Sequence, residues 1–304
     1  MHPAFSVIFF TTLSGLGYGL WIWSGTGLLL GRGAHGTLML LVTYALGVLP
    51  VAAGLLSSML HLGKPLRAWR AFSQWRSSWL SREGVLAVAA FLPWAFVLWP
   101  AASDAVVPAW ALQAALAASV LLSLATVVCT AMIYASLKPV PAWRHWAVVP
   151  AYLGFALLTG GLATIAWMLR TDTPPAIVLA ALPLLALAMG ALKWRYWRDI
   201  DRAPPTVDRA SALGLPADRE ARVFERPHTE ANYLTREMGF VLARKHSRRL
   251  RAIALLLFSA APALLAGLAL VSGSGVASLL LAVAAASALL GAFVERWLFF
   301  AEAK

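Results

Sequence analysis

Charged residues are scarce in this sequence. Asp, Glu, Lys and Arg make up 12% of its 304 residues, whereas hydrophobic residues make up 61% and the mean hydropathy is +0.75. Soluble domains carry charge on roughly a quarter of their residues. This composition therefore excludes an ordinary water-soluble protein and predicts an integral membrane protein.

Cysteine and histidine are also rare. The one cysteine, Cys129, excludes an intrachain disulfide and cannot by itself hold an iron–sulfur cluster, so any iron–sulfur chemistry belongs to a partner. Apart from His61, the histidines fall at chain ends or in connections, at His2, His35, His145, His228 and His246. No pair of histidines is placed to hold a haem inside the membrane, and no haem is expected in this chain.

Long apolar runs are abundant instead. A spanning helix needs roughly 20 apolar residues because the hydrocarbon core is about 30 Å thick, and about eight runs qualify. They are Ala4 to Leu30, Thr37 to Leu60, Arg82 to Ala101, Pro108 to Ser136, Trp146 to Leu169, Ala176 to Lys193, Ala252 to Val271 and Gly275 to Phe299. No run alternates with the two-residue period of a barrel strand. We predict an all-α, polytopic membrane helical bundle with about eight transmembrane helices, forming a single integral-membrane domain over residues 1–304.

The positive charges are distributed unevenly. Lys and Arg are retained on the cytoplasmic side of a membrane, and most of them fall in connections that would share a side with both chain ends. This predicts a multi-pass protein of the bacterial cytoplasmic (inner) membrane with both termini in the cytoplasm. The asymmetry, together with contact with anionic membrane lipid, accounts for the net charge of +12, and nucleic acid is not expected as a partner.

A long basic loop is expected at about residues 196–251. Loops of this length are commonly functional or interaction segments, so it either docks a soluble subunit or is a solvated loop that holds the topology. Residues 232–250 within it have the pattern of an amphipathic surface helix. In the first span, the glycines of GLGYG are interpreted as helix-packing positions, with Gly15 and Gly19 spaced for close approach.

The segment from His61 to Gly84, HLGKPLRAWRAFSQWRSSWLSREG, joins the second and third predicted spans. Its tryptophans favour the headgroup layer of a membrane. Ser81 is the expected N-cap of the third span, which would place Glu83 in the first turn, where the helix dipole favours a carboxylate. An aromatic belt, a cap and a dipole-paired acid would explain this segment without any ligand.

The same segment also carries the groups that a quinone site needs. Such a site requires a donor to each carbonyl, a proton route and apolar walls, and His61 suits the first role because histidine both donates and accepts near neutral pH. The candidate catalytic residues are His61 and Glu83, the latter as a proton relay. The candidate cations for reduced, anionic forms of the quinone are Lys64, Arg67, Arg76 and Arg82; the candidate ring walls are Trp69, Phe72 and Trp79; Ser81 completes the set. We predict a quinone site, for ubiquinone or menaquinone, and no metal site.

Several motifs carry a family resemblance. The stretches HLGKPLRAWRAF and WRSSWLSREG are followed by IYASLKP at Ile133 to Pro139, by NYLTREMGF and ARKHSRRLR, and by the terminal ERWLFF. Together they resemble the membrane-anchor subunits of dimethyl sulfoxide reductase-type complexes, which are distantly related to polysulfide reductase anchors. The resemblance covers essentially the whole chain, and the opening MHPAFSVIFFTTLSGLGYGL is most similar to anchors of cytoplasm-facing sulfite:quinone oxidoreductases within this group.

The resemblance implies a three-subunit complex. Its other members would be a molybdopterin catalytic subunit with a molybdenum cofactor and an iron–sulfur electron-transfer subunit, while the anchor exchanges electrons with the quinone pool. In such anchors the histidine of HLGKP and the glutamate of SREG, here His61 and Glu83, are implicated in the quinol site. Sulfite oxidation would reduce quinone here, whereas a dimethyl sulfoxide reductase-type complex would oxidise quinol. The alternatives of another class are a secondary transporter and a passive structural anchor.

Overall fold

Helices make up most of the structure. The computed structural model describes residues 3–33, 36–59, 64–103, 105–203, 213–216, 219, 221–222, 224 and 244–303, and no strand occurs in these ranges. Within them, eight helices are long and apolar enough to cross a membrane. They are α1 (Pro3–Leu29), α2 (Thr37–Met59), α3 (Trp79–Ser103), α4 (Ala109–Ala135), α5 (Val148–Met168), α6 (Ala176–Arg202), α7 (Ser247–Ala269) and α8 (Ser274–Ala301). The predicted all-α polytopic bundle is confirmed, and the chain is a multi-pass membrane protein.

Helices α1 and α5 form the centre of the bundle. The first packs against α2, α4, α5 and α8, and the second against α1, α4, α6 and α8. Their most apolar stretches are 67% and 72% buried, more than those of any other described span. The outer helix α3 packs mainly on α4, and α7 packs on α6 and α8. Each also reaches the centre through aromatic contacts, Phe91 of α3 with Trp21 of α1 and Phe258 of α7 with Phe155 of α5.

Small residues set the distance between the central helices. A side chain on Gly19 would collide with the backbone of Ala156, and Gly160 lies directly beside it. Gly17 makes a similar close approach to α2. The packing interpretation is therefore confirmed at Gly19 but wrong at Gly15, where a Cβ would meet no atom within 4 Å. Helices α1 and α5 cross at Gly19 and diverge towards Gly15, although both glycines lie on the same face of α1.

The start of α3 differs from the sequence prediction. The helix begins at Trp79 rather than Arg82, and its N-cap is Ser78, whose hydroxyl accepts the N–H of Ser81 at 3.4 Å. The prediction that Ser81 caps this helix was therefore wrong, because Trp79 and Ser81 already belong to the first turn. Glu83 consequently lies in the second turn, beyond the end of the helix where the dipole acts most strongly.

The connection between α6 and α7 is shorter than the predicted loop at 196–251. Helix α6 continues past Lys193 to Arg202, and the pair Arg195–Asp199, with its Nε–Oδ2 distance of 2.8 Å, supports this extension one turn apart on the helix. At the other end, residues 247–251 are the first turn of α7. Most of the predicted amphipathic helix at 232–250 lies outside the described residues.

Arg251 forms ion pairs that link the ends of α6, α7 and α8. This α7 residue contacts Asp201 of α6, with Nη1 and Oδ2 2.6 Å apart, and Glu302 after α8, with Nη2 and Oε1 2.9 Å apart. Partial burial raises the pKa of Glu302 above its ordinary value, and the Arg251 charge opposes that rise. The basic run at the start of α7 therefore includes a residue that links helix ends by ion pairs rather than a free loop cation.

The two ends of the bundle differ in charge. We call the end that holds the start of α1, the end of α8 and the α2–α3, α4–α5 and α6–α7 connections the terminal face. Exposed basic side chains gather there, among them Lys64, Arg67 and Arg70. At the opposite face, Arg32 pairs with Asp172 at 3.8 Å, which offsets one of the few positive charges at that end.

The central crossing gives the first prediction. Replacing Gly19 by Ala should destabilise the protein by about 1–3 kcal/mol, because an added methyl forces apart a backbone contact that cannot give way. Thermal unfolding of the detergent-solubilised protein measures the change. Gly15→Ala, on the same face of the same helix, is the matched control and should not lower the unfolding temperature. Equal unfolding temperatures of Gly19→Ala and Gly15→Ala would contradict the close approach of α1 and α5 at Gly19.

Candidate functional site

A short 3-10 helix lies at the terminal face between α2 and α3. It spans Pro65–Gln74, and we call it the interfacial segment. Its outer surface carries apolar, aromatic and basic side chains. Leu66 is 93% exposed and Trp69 is 65% exposed. The exposed residues predicted for the site are Lys64, Arg67, Trp69, Phe72 and Arg76. Such side chains suit the boundary between headgroups and water, where aromatic rings and cations are favoured together.

Arg82 fastens the end of this segment to α3. Its Nε donates to the carbonyl of Trp75 at 2.9 Å, and its Nη2 donates to the carbonyl of Arg76 at 2.6 Å. Its guanidinium also lies over the ring of Trp79, 4.4 Å from the ring centroid. The structure thus places Arg82 and Trp79 together as a stacked pair that orders the chain leading into α3.

Two further contacts hold the interfacial segment against the start of α3, at the residues on either side of Glu83. The Ser81 hydroxyl donates to the carbonyl of Ala71. The ring of Phe72 covers Gly84 so closely that a Cβ there would lie 2.9 Å from it. The residues on both sides of Glu83 are therefore used to seat the segment, whereas the Glu83 carboxyl itself faces α4.

Glu83 is buried, with 4% of its surface exposed, and it pairs with Thr130 of α4. The Thr130 oxygen also lies 3.0 Å from the carbonyl of Thr126. A hydroxyl has one proton to donate and can also accept. When the Glu83 carboxyl is ionised, the Thr130 hydroxyl donates its proton to the carboxylate. When the carboxyl is protonated, the Thr130 hydroxyl accepts from Glu83 and donates to the carbonyl of Thr126. The site therefore provides a hydrogen bond for either state of this acid.

The structure brings together part of the predicted site. Ser81, Arg82 and Phe72 join the start of α3 to the interfacial segment and the residues that follow it. Glu83, which follows Arg82 in the chain, bonds to Thr130 of α4. His61 lies outside the described residues, and its contact with this group stays a prediction. Thr130 was missed by the sequence analysis, because a threonine in an apolar span carries no local signal of what it faces.

A second group of ionisable residues lies buried at the same end. Lys193 of α6 and Glu295 of α8 form an ion pair, with Nζ and Oε1 2.6 Å apart and side chains only 2% and 1% exposed. Arg296 is 4% exposed, its Nε is 3.7 Å from Glu295 Oε2, and its guanidinium lies 3.7 Å from the centroid of the Tyr152 ring. Sequence analysis placed Lys193 at the end of the sixth span, whereas it lies buried within α6 and belongs to this cluster.

The buried charges balance one another. Formal charges of Glu83 and Glu295 cancel those of Lys193 and Arg296, and all four residues are at least nine-tenths buried. Unpaired charge inside an apolar bundle is costly, so such residues are normally paired and often functional. Thr130, the partner of Glu83, and Arg296 line the same cavity. The partner of one buried acid and a member of the second charged group therefore border one internal space.

These features define a polytopic helical membrane protein whose ionisable side chains are gathered at one end, beneath an aromatic and basic interfacial segment. The chain belongs to the DMSO reductase anchor subunit (DmsC) family, whose model matches residues 1–301. It is 33% identical over 322 residues to a sulfite dehydrogenase subunit of Allochromatium vinosum, and the match covers 100% of this chain and 97% of that relative. The family resemblance is confirmed: the chain is the membrane-anchor subunit of a multi-subunit oxidoreductase complex.

The buried ion pair gives the second prediction. Glu295→Gln should lower stability by about 3–5 kcal/mol, because it leaves Lys193 buried without its counter-charge. The double variant Lys193→Gln with Glu295→Gln should recover most of the loss, since Glu83 and Arg296 then still sum to zero charge. Thermal unfolding of the two single variants and the double variant measures the coupling. Additive losses in the double variant would show that the pair does not interact.

Proposed function

We propose that this anchor exchanges electrons and protons with the membrane quinone pool at the terminal face. The site consists of Glu83 with its partner Thr130, the interfacial segment seated on the start of α3, and His61 at its predicted place before that segment. The observation that carries the proposal is a buried, hydrogen-bonded carboxyl on the same turns of α3 that seat an aromatic segment at the membrane edge.

The residues present fit a quinone. A quinone presents two carbonyl oxygens on a flat apolar ring, so its site needs a hydrogen-bonding or proton-carrying group, aromatic surface and access from the lipid. Glu83 supplies the carboxyl, and Phe72 and Trp79 supply aromatic surface at the level of the headgroups. Bound there, the quinone would accept two electrons and two protons from the anchor and its partners, or return them.

Each residue has a role that follows from its contacts. Glu83 holds or releases a proton at its carboxyl, and Thr130 keeps that carboxyl hydrogen-bonded in both states. Arg82 positions the interfacial segment through the carbonyls of Trp75 and Arg76. The exposed cations Lys64, Arg67 and Arg76 and the exposed Trp69 remain candidates for the entrance of the site. His61 remains the candidate partner of a quinone carbonyl.

Family membership supports the identity of the partners. We propose that an iron–sulfur protein transfers electrons between this anchor and a molybdopterin catalytic subunit. The name of the Allochromatium vinosum relative, a sulfite dehydrogenase subunit, favours sulfite as the electron source. Sulfite and water would then give sulfate, two protons and two electrons, and the electrons would reduce quinone. The same site in a dimethyl sulfoxide reductase-type complex would run in the opposite direction and oxidise quinol.

The charge asymmetry supports an orientation. Positive residues are retained in the cytoplasm, and the exposed cations of the interfacial segment lie at the terminal face. We therefore propose that the terminal face and both chain ends lie on the cytoplasmic side of the bacterial inner membrane. The soluble partners would dock there, within reach of the interfacial segment.

The third prediction tests the role of Glu83. In the purified complex, Glu83→Gln should slow quinone-coupled turnover by about tenfold to a hundredfold, because the amide keeps the shape but cannot carry the proton. Thr130→Val should slow it less and change its pH dependence, since the carboxyl remains but loses its hydrogen bond. Asp172→Asn, at the opposite face, is the control and should turn over normally.

Assembly must be measured alongside turnover. Co-purification of the soluble subunits should be unchanged in Glu83→Gln, which separates loss of chemistry from loss of the complex. Wild-type turnover of Glu83→Gln at every pH would remove Glu83 from the proton route and favour a passive structural anchor.

A further inference from the structure

A polar cavity lies inside the bundle, between α1, α4, α5 and α8 on the terminal side of the Gly19 crossing. The space between its lining residues that is free of protein atoms is about 410 Å³, which includes volume open to the outside of the bundle. Its lining is rich in hydroxyl groups, notably those of Thr12, Tyr18, Thr130, Tyr152 and Thr159, and it includes the Arg296 side chain. A polar cavity at this depth is unusual, because most of the bundle around it is apolar.

The cavity exists because the central helices diverge. They touch at Gly19 and Gly160, and one turn closer to the terminal face Gly15 meets no atom within 4 Å of an added Cβ. Gly15 lines the cavity. The same glycine spacing therefore produces a close contact at one position and an open space at the next.

Thr12 and Tyr18, like Tyr152, line this cavity with hydroxyls that have no hydrogen-bond partner among the described residues. Thr12 is 8% exposed and Tyr18 is 2% exposed. By contrast, Thr159 donates to the carbonyl of Phe155 at 2.7 Å. A buried hydroxyl without a partner costs about 1–3 kcal/mol. Such groups facing one space call for a polar occupant.

Water is the occupant that fits. Buried water typically makes two to four hydrogen bonds to otherwise unsatisfied polar groups, and it needs only a small polar space. Thr12, Tyr18 and Thr130 supply hydroxyls around the cavity, and Arg296 supplies N–H donors. An apolar lipid tail would leave these groups unsatisfied.

The cavity also adjoins the carboxyl at the centre of the proposed function. Thr130 lines it and contacts Glu83 on its other side. The residues beside Glu83 in the chain are occupied in seating the interfacial segment, through the Ser81–Ala71 bond and the contact of the Phe72 ring with Gly84. A proton reaching Glu83 from within the bundle therefore has Thr130 as its nearest hydroxyl carrier.

We propose that this cavity is an internal water site and that it supplies protons to Glu83 through Thr130. Cavity water donates to the Thr130 oxygen as Thr130 donates its own proton to the Glu83 carboxylate. At each transfer one O–H bond breaks at the donor and one forms at the acceptor, and the water is reprotonated from the aqueous phase. The net change is one proton moved to Glu83. Arg296 acts as a positioning residue whose charge faces the cavity.

This inference rests on the proposed quinone site, and a cavity-filling variant tests it. Gly15→Ala places a methyl in the empty space without a clash, and alanine also favours a helix over glycine, so the fold should hold. The matched control is Gly267→Ala in α7, another half-buried helical glycine whose added Cβ meets nothing within 4 Å. We expect Gly15→Ala to reduce quinone-coupled turnover about tenfold and to increase its solvent deuterium isotope effect. Gly267→Ala should match wild type in both.

A second variant and a second readout complete the test. Tyr18→Phe removes one unpartnered hydroxyl and should slow turnover without lowering the unfolding temperature. Infrared difference spectra in H₂O and D₂O should show slower exchange of the Glu83 carboxyl proton in Gly15→Ala than in Gly267→Ala, independently of turnover.

The outcomes separate the two claims. If Glu83→Gln slows turnover while Gly15→Ala and Tyr18→Phe leave turnover and carboxyl exchange at wild-type values, the water route is wrong and the quinone site stands. If Gly267→Ala slows turnover as much as Gly15→Ala, the effect is one of packing and the water route is again overturned. If Glu83→Gln itself has no effect, the proposed function fails, and the water route with it.

Discussion

The crossing of α1 and α5 at Gly19 and Gly160 is the constraint on which the rest of the structure depends. It sets how closely the two central helices approach, and every other described span packs on one of them or on a neighbour of one. Because helices that touch at one point diverge elsewhere, the crossing also opens the space beside Gly15. Tight packing in the middle of the bundle and a polar cavity near the terminal face are thus two results of one contact.

Charge compensation is the second organising effect. An apolar bundle tolerates Glu83, Lys193, Glu295 and Arg296 only because their charges cancel within one end of the molecule. Three of them form a compact cluster, whereas Glu83 stands apart near the start of α3 with a threonine as its direct partner. A carboxyl paired with a hydroxyl can change its protonation state more readily than one held by a lysine. This difference supports the proposed proton chemistry of Glu83 and a structural role for the Lys193–Glu295 pair.

Sequence analysis predicted the features that depend on long, repeated patterns. Eight spans followed from hydropathy, and the family followed from motifs distributed along the chain. Features that depend on contacts between distant residues were less accessible. Lys193 was predicted only as the last residue of the sixth span, because its partner Glu295 is about a hundred residues away in the sequence and carries no mark of the pairing. Thr130 looked like any small residue in a helix.

Local choices between similar residues also escaped prediction. Ser78 and Ser81 are both suitable caps, and Ser78 is used because Trp79 and the residues after it join the helix. Gly15 and Gly19 share one face of α1, and only the position of Gly160 on α5 decides which of them is the contact. In both cases the sequence correctly indicated the type of feature, and tertiary packing decided the position.

Photolabelling tests the central claim, that quinone binds at the terminal face beneath the interfacial segment, most directly. The intact complex in native membranes would be irradiated with a photoreactive quinone analogue, and the adducts on this chain mapped by mass spectrometry. The account predicts adducts between Lys64 and Gly84 that excess native quinone suppresses and that Glu83→Gln weakens. Competable adducts confined to the opposite face, around Arg32 and Thr43, would contradict it.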